Sequence, residues 1–369
     1  MNVSDFDFHL PDELIAQHAA PRGASRLFVL DRATATRRHS TIAELSSILV
    51  PGDLLVLNNT RVFAARLVGH RVPSGGTVEC LLLGPTAEQG PPPADDVELA
   101  NDQIPHHAAI RIADALVHPG QKLKPGTLMR FAGPAGALMV QVLSRHFYGR
   151  RTVRLWAEHG GDVDTLVDAL GHIPLPPYIK RGDTIADRER YQTVYARVRG
   201  SVAAPTAGLH FTQELLGALD HRGVERVEIT LHVGYGTFKP VRVQRVEDHV
   251  VDPEHYEISI EAGEAIERAK RDGRRVIAVG TTTTRALEDA AATGGGRVRA
   301  GTGSASLFIY PGFRFQVIDG LLTNFHLPTS SLLMLVAAFA GRELILEAYK
   351  EAVEQRYRFY SYGDAMLVL

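Results

Sequence analysis

Asp53-Leu-Leu-Val-Leu-Asn58 is a nearly continuous apolar run. Without alternation, so short a run reads as a strand buried on both faces, the kind that lies between two layers of helices. Arg275-Val-Ile-Ala-Val-Gly280 has the same texture and leads into Thr281 to Ala290, read as a helix. Arg26 to Asp31 and Val227 to Val233 read as further strands, and Ala365 to Leu369 as a final one. Thr212 to Arg222, Ser259 to Asp272 and Glu343 to Arg356 read as helices. Leu10-Pro-Asp-Glu-Leu-Ile-Ala16 has Pro11 and acids in a first turn, which predicts a helix start. Alternating β and α elements predict a layered α/β/α domain.

The texture changes between Val62 and Trp156. Short β-like runs alternate there with turn residues: Ala65 to Gly69, Val78 to Leu83, Ala109 to Ile112, Leu128 to Phe131, Leu138 to Leu143 and Thr152 to Trp156. Such spacing predicts a small barrel or sandwich. Gly90-Pro-Pro-Pro-Ala-Asp-Asp96 reads as a loop within it. The expected organisation is a discontinuous α/β catalytic domain over 1–61 and 157–369, with an inserted small β-barrel domain over 62–156.

Composition narrows the classes. The chain has 369 residues, 45% hydrophobic and 22% charged, with a net charge of −2. These are values of an ordinary globular protein without a global basic field. Cys80 is the only cysteine, so neither an intramolecular disulfide nor a thiolate zinc cluster can form within the chain. No secretory pattern opens the sequence, and the longest apolar run, Leu332 to Ala340, is too short to span a bilayer. It reads as a buried helix in a cytoplasmic protein.

Two glycine-rich segments each carry a histidine: Gly200 to Phe211, with Thr206, Gly208 and His210, and Leu231 to Phe238, with His232, Gly234, Tyr235 and Gly236. Thr323-Asn-Phe-His326 interrupts apolar runs nearer the C-terminus. Small residues allow close backbone approach to a ligand. The three segments predict one pocket with His210, His232, Asn324 and His326 as polar contacts. A histidine beside an apolar run is more often a satisfied core residue, and only the grouping favours a site. No short ligand spacing supports a three-histidine metal centre, so no metal is expected. Thr281, Thr282 and Thr283, with Arg285 following, sit where a strand meets a helix N-terminus. An anion site there and a plain threonine cap carry equal weight. The spacing is neither that of a dinucleotide fingerprint nor that of a P-loop.

Pro174 to Arg181 is a stiff segment ending in Lys180 and Arg181. With Arg150, Arg151, Arg188, Arg190, Tyr148, Tyr178 and Tyr191 it can be read as a nucleic-acid contact, or as a solvated surface. Tyr357 to Asp364 is dense in aromatics. It suits either purine packing, with Tyr360 and Asp364 as contacts, or a C-terminal core plug.

At these segments the chain resembles the S-adenosylmethionine:tRNA ribosyltransferase-isomerase family of the queuosine pathway. The resemblance runs nearly end to end. It includes Ser4 to Phe8, Gly52-Asp-Leu-Leu-Val-Leu-Asn-Asn-Thr-Arg61, Pro119 to Gly126, Pro174 to Arg181 and Arg190 to Tyr195. It continues through Ser201 to Phe211, His232 to Pro240, Phe308 to Gly312, Leu322 to Pro328 and Phe359 to Met366. The resemblance implies that the ribosyl group of S-adenosylmethionine is transferred and isomerised onto 7-aminomethyl-7-deazaguanine at the tRNA wobble position. The products are epoxyqueuosine-tRNA, adenine and methionine. It implies S-adenosylmethionine as co-substrate, an anticodon arm as partner, and an α/β domain with an inserted barrel. A monomer is the expected form, although no residue pattern distinguishes it from a dimer.

On this reading His210 and His232 transfer protons or orient groups. Asn324 and His326 fix ribose or adenine, Thr281 to Thr283 hold the methionine carboxylate, and Asp364 meets deazaguanine or adenine. Three positions depart from the family pattern. Asp252 stands for a usual histidine, Thr329 for a lysine, and Gly23 for an aspartate. The glycine-rich segments are intact, so the resemblance implies S-adenosylmethionine chemistry with altered RNA contacts. The alternatives are a related transferase acting on another RNA or a free base, and a non-catalytic RNA-binding protein on the same scaffold.

Overall fold

The computed structural model describes residues 1–90 and 100–369. The expected loop at Gly90 to Asp96 falls largely on residues 91–99, outside the described residues, as does the side chain of Tyr148. In chain order the first elements are β1 (Arg26–Asp31), β2 (Thr36–Thr41), α1 (Leu45–Ile48), β3 (Leu54–Asn58) and β4 (Thr60–Val62). Then come β5 (Arg66–Val72), β6 (Thr77–Leu82), β7 (Arg111–His118), β8 (Leu128–Gly133), β9 (Gly136–Arg145) and β10 (Arg150–Ala157). The chain continues with α2 (Val163–Leu170), α3 (Ile185–Arg190), β11 (Val198–Ser201), α4 (Gln213–His221), β12 (Glu225–Leu231) and β13 (Glu254–Ile258). It ends with α5 (Ile260–Arg271), β14 (Val276–Val279), α6 (Thr281–Thr293), β15 (Gly301–Ala305), β16 (Gly320–Asn324), α7 (Ser331–Ala340), α8 (Arg342–Glu354) and β17 (Ala365–Val368).

Nine strands form one mixed sheet in the order β15-β13-β12-β3-β14-β16-β17-β1-β2. Its middle, β12-β3-β14-β16, is parallel. The central strands show why continuous apolar runs were required. Leu54 and Val56 join the core beneath α5, α6, α7 and α8, while Leu55 and Leu57 join the core beneath α1 and α4. Val276 and Ala278 divide from Ile277 and Val279 in the same way. Successive side chains point to opposite faces, and both faces are covered.

Strands β5 to β10 close into a six-stranded barrel, ordered β10-β7-β6-β5-β8-β9. Its own core includes Leu67, Cys80, Val117, Met129, Phe131, Val140 and Leu155. The expected layered sheet with an added small barrel is therefore the observed architecture. The described residues contain no helix long and apolar enough to cross a membrane.

One expected helix is missing. Asp12–Leu14 is a single 3-10 turn rather than the start of a helix. The Ala16 N–H bonds the Phe359 carbonyl and the Phe359 N–H bonds the Leu14 carbonyl. Those bonds tie the segment to a distant strand-like stretch and end the turn. Elsewhere helix starts follow the capping chemistry: Thr212, Ser259 and Ser330 each cap a helix through the side-chain oxygen.

Candidate active site

A cavity opens at the C-terminal ends of the parallel strands. Ala204 to Ala207 reach it after β11, Val233 after β12, and Gly280, Thr281 and Thr282 where β14 passes into α6. Thr323, Asn324 and His326 come from the end of β16, Leu332 from α7, and Tyr360 and Ser361 from the turn before β17. Ligands of open α/β sheets bind at this edge, where loops diverge. A second hollow adjoins it, sharing Thr237 and Leu332 and adding Gly236, His249, Asp252, Glu254, Arg285 and Phe308.

The start of α6 supplies one polar feature. Its N-cap is Gly280, at φ 94°, and no side chain caps the helix. The Thr283 hydroxyl turns back to the Val279 carbonyl at 2.7 Å, and that of Thr284 to the Gly280 carbonyl at 3.2 Å. Of the three threonines, Thr281 and Thr282 line the cavity and Thr283 is packed behind them. An uncapped N-terminus of a thirteen-residue helix attracts an anion.

Asn324 supplies the second feature. It is buried, and its Nδ2 lies 3.1 Å from both the Tyr360 carbonyl and His210 Nε2. Its Oδ1 has no partner. Tyr360 adopts a positive φ of 76°, unusual for a tyrosine. His210 stands behind Asn324, with Nδ1 2.8 Å from Ser25 Oγ. Burial pulls the His210 pKa down to about 4. Asp364 opposes this, while Arg358 and Arg190 add to it. The imidazole is therefore neutral near pH 7. His326 does line the cavity. Its Nε2 lies 3.0 Å from Thr323 Oγ1, and burial pulls its pKa to about 3.

The second glycine-rich segment has a different fate. His232 is half-buried and is absent from the linings of both hollows. Its ring packs on Gly200, where a Cβ would come within 2.5 Å of it, and Nδ1 lies 2.9 Å from Thr60 Oγ1. His255 stacks beside it. Burial, and next the His255 charge, lower its pKa. Val233, the next residue, takes the cavity side. The expected single pocket for all three histidines is thus replaced by one lining histidine, one behind the wall and one outside it.

The remaining expected residues divide similarly. Thr206 and Tyr360 line the first hollow, and Gly236 and Arg285 the second. Gly208 lies in the wall, where a Cβ would come within 2.2 Å of the Tyr195 hydroxyl. Tyr235 packs against the barrel core. Gly234 N–H and the Thr237 hydroxyl both donate to Glu254 Oε1, while Arg285 Nη1 donates to Glu254 Oε2 at 2.7 Å. Burial raises the Glu254 pKa, and Arg285 opposes the rise. This ion pair holds the loop that follows β12. Asp364 accepts from the backbone N–H groups of Arg26 and Arg358 and does not line either hollow, so its carboxylate secures the chain end rather than facing the cavity.

The aromatic part of the nucleic-acid expectation needs correction at one residue. Tyr191 is fully buried among Ile173, Ile179, Leu209 and Tyr362, and cannot stack on a base in this structure. Arg181 is held by Asp187 through two hydrogen bonds at 2.7 and 2.9 Å, and Arg190 donates to the Ala20 carbonyl. Lys180 is exposed, 3.7 Å from Asp12. Sequence reading missed Ser25 and Glu254. Ser25 is 185 residues from His210, and no local pattern announces that pairing. A lone buried acid such as Glu254 becomes recognisable only beside its cation. Among the described residues no group of three His, Cys, Asp or Glu side chains is placed to hold a metal.

The family described as "Queuosine biosynthesis protein" matches residues 3–368. The chain belongs to that family. It is 49% identical, over 100% of both chains, to the S-adenosylmethionine:tRNA ribosyltransferase-isomerase of Heliobacterium modesticaldum. It is also 49% identical to the protein of that name from Nitratidesulfovibrio vulgaris, over 99% of this chain and 97% of the relative. The crystal structure of the S-adenosylmethionine tRNA ribosyltransferase of Thermotoga maritima superposes with a TM-score of 0.52, at 36% identity, covering 99% of this chain and 100% of that one. Within this queuosine biosynthesis family member, the segments that carry the sequence resemblance meet around the cavity: Ser201 to Phe211, His232 to Pro240, Leu322 to Pro328 and Phe359 to Met366 each contribute to its wall.

Proposed function

We propose that this chain is an S-adenosylmethionine:tRNA ribosyltransferase-isomerase. It moves the ribosyl group of S-adenosylmethionine onto the amine of 7-aminomethyl-7-deazaguanine at the wobble position of a tRNA and isomerises it, releasing adenine and methionine. The full-length identity to relatives of that name carries the reading. The cavity fits it. The α6 N-terminus at Thr281 and Thr282 suits the carboxylate of the methionine part. Asn324 and His326, on the same wall, suit the hydroxyl and amine groups of ribose or adenine.

A sulfonium acidifies the C–H bonds beside it, so loss of a proton there gives an ylide-like carbon. Departure of adenine is assisted by a proton on its ring, and the attacking amine must be neutral. His326 is the histidine on the cavity surface, and as a neutral imidazole it can accept a hydrogen bond from substrate. His210 suits the orienting half of its expected role. His232, at the Thr60 and Gly200 side, is assigned an orienting role on the loop that carries Gly234 and Gly236.

Lys180, Arg181 and Arg190 are proposed to face the RNA backbone. The barrel over 62–156 is proposed as an inserted domain, and 1–61 with 157–369 as the catalytic one. The working form is proposed to be a cytoplasmic monomer that needs no metal.

The deciding assay incubates the protein with S-adenosylmethionine and an anticodon stem-loop carrying the aminomethyl-deazaguanine. Adenine and methionine should appear in step with the mass gain of one ribosyl-derived group on the RNA. Release of both without RNA mass gain overturns the tRNA assignment. RNA binding without any release would instead favour the non-catalytic binding protein.

A further inference from the structure

The polar chain behind the cavity wall fixes its own proton positions. The Tyr360 carbonyl can only accept, so the Asn324 group facing it at 3.1 Å must be Nδ2. The same Nδ2 lies 3.1 Å from His210 Nε2, which must then accept as well. A neutral imidazole that accepts at Nε2 carries its proton on Nδ1, and Nδ1 faces Ser25 Oγ at 2.8 Å. Ser25, His210 and Asn324 are only 5%, 4% and 2% exposed, so no solvent competes with these bonds. Both hydrogens of Nδ2 are used, and Asn324 Oδ1 remains buried without a partner in a residue that lines the cavity. An unpaired buried acceptor costs free energy until something donates to it.

We propose that Ser25 and His210 are positioning residues that lock the Asn324 amide, so that Oδ1 waits as an acceptor for an N–H or O–H group of the sulfonium co-substrate. The inference rests on the cavity being the S-adenosylmethionine site. The Tyr360 carbonyl sets the amide, the amide sets the imidazole tautomer, and Ser25 holds the ring by accepting from Nδ1–H; the amide so held selects a donor over an acceptor at that point of the ligand. His210 touches no substrate and carries no proton between substrate atoms. The charged groups around the imidazole are Asp364, Arg358 and Arg190, and none of them bonds to it.

Three variants and one spectrum test this. With saturating RNA between pH 6 and 9, His210→Ala should raise KM for S-adenosylmethionine about tenfold or more, the size of one lost charge-free hydrogen-bond anchor. It should leave the pH limbs of kcat in place. His210→Gln, which returns an acceptor near the Nε2 position, should recover most of the loss. Ser25→Ala should raise KM about threefold. A fall in kcat with unchanged KM, loss of a pH limb, and no rescue by glutamine would overturn the proposal and make His210 a proton carrier.

The spectrum needs no variant to fold. Nitrogen-15 shifts of the wild-type His210 ring should show protonated Nδ1 and bare Nε2 from pH 6 to 8. A proton on Nε2 would overturn the proposal by itself. If the wild type releases no adenine, the functional reading fails, and the ring spectrum still decides the orientation of Asn324.

Discussion

The two glycine-rich histidine segments look alike in sequence and behave differently in the fold. Gly200 to Phe211 lays Ala204 to Ala207 along the cavity and then buries His210 behind Asn324. Leu231 to Phe238 leaves β12 with Val233 turned to the cavity and His232 turned to Thr60 and Gly200. The first segment builds the wall by close packing. The second is held from outside, by the ion pair of Glu254 and Arg285. A histidine beside glycines therefore says where a backbone comes close to something, and not which side the ring takes.

The largest effect should come from the support of the second segment. Arg285→Leu leaves the Glu254 carboxylate buried without its cation. It should cost about 3–5 kcal/mol in chemical unfolding. A loss under about 1 kcal/mol would mean that the loop does not depend on the pair.

Acid should next expose the buried imidazole of the first segment. His210 has a folded pKa of about 4, against about 6.5 when unfolded. The unfolded chain then binds more protons, so stability falls as pH drops from 6.5 towards 4. The expected contribution is about 3 kcal/mol. His210→Gln should lose less stability than wild type over that interval in pH-dependent melts, and equal acid slopes would break the assignment of a buried neutral ring.

Packing separates Gly208 of the first segment from Gly234 of the second, while Gly236 is crowded by Asp252, whose Oδ2 lies within 2.5 Å of a Cβ there. Gly208→Ala would drive a methyl within 2.2 Å of the Tyr195 hydroxyl and 2.7 Å of Thr193 Cγ2. It should destabilise by about 1–3 kcal/mol. Gly234→Ala meets nothing nearer than 3.9 Å and should change stability by less than about 0.5 kcal/mol. Equal melting shifts for the two variants would contradict the contrast. His232→Gln should lower kcat/KM less than about threefold, within the cost of one partly exposed hydrogen bond. A hundredfold loss would bring His232 back into the chemistry.

Much of the scaffold was legible because its signals are local. Continuous apolar runs marked β3 and β14 as central, the shift to short spaced runs marked the barrel, and Thr212 and Ser259 open the segments read as helices, which they cap through their own oxygens. Asp12–Leu14 failed as a helix because bonds to Leu14 and Ala16 come from Phe359, a partner that no local pattern reveals. Tyr191 and Asp364 take their places for a related reason, and Asp364 fits the core-plug alternative of its segment. Both are polar residues in aromatic or basic neighbourhoods, and burial decided their roles.

By itself the sequence determined the layers, the separate barrel and the set of small-residue loops that meet at the sheet edge, since hydrophobic period, turn residues and caps act over a few residues. The tertiary structure alone decided which of those residues share a wall. Strand alternation turned Val233 inward and His232 outward, and contacts across more than a hundred residues joined Ser25, His210 and Asn324. Hydrogen-bond direction in that chain depends on which partners can only accept. That condition exists only once the Tyr360 carbonyl has been folded against the Asn324 amide.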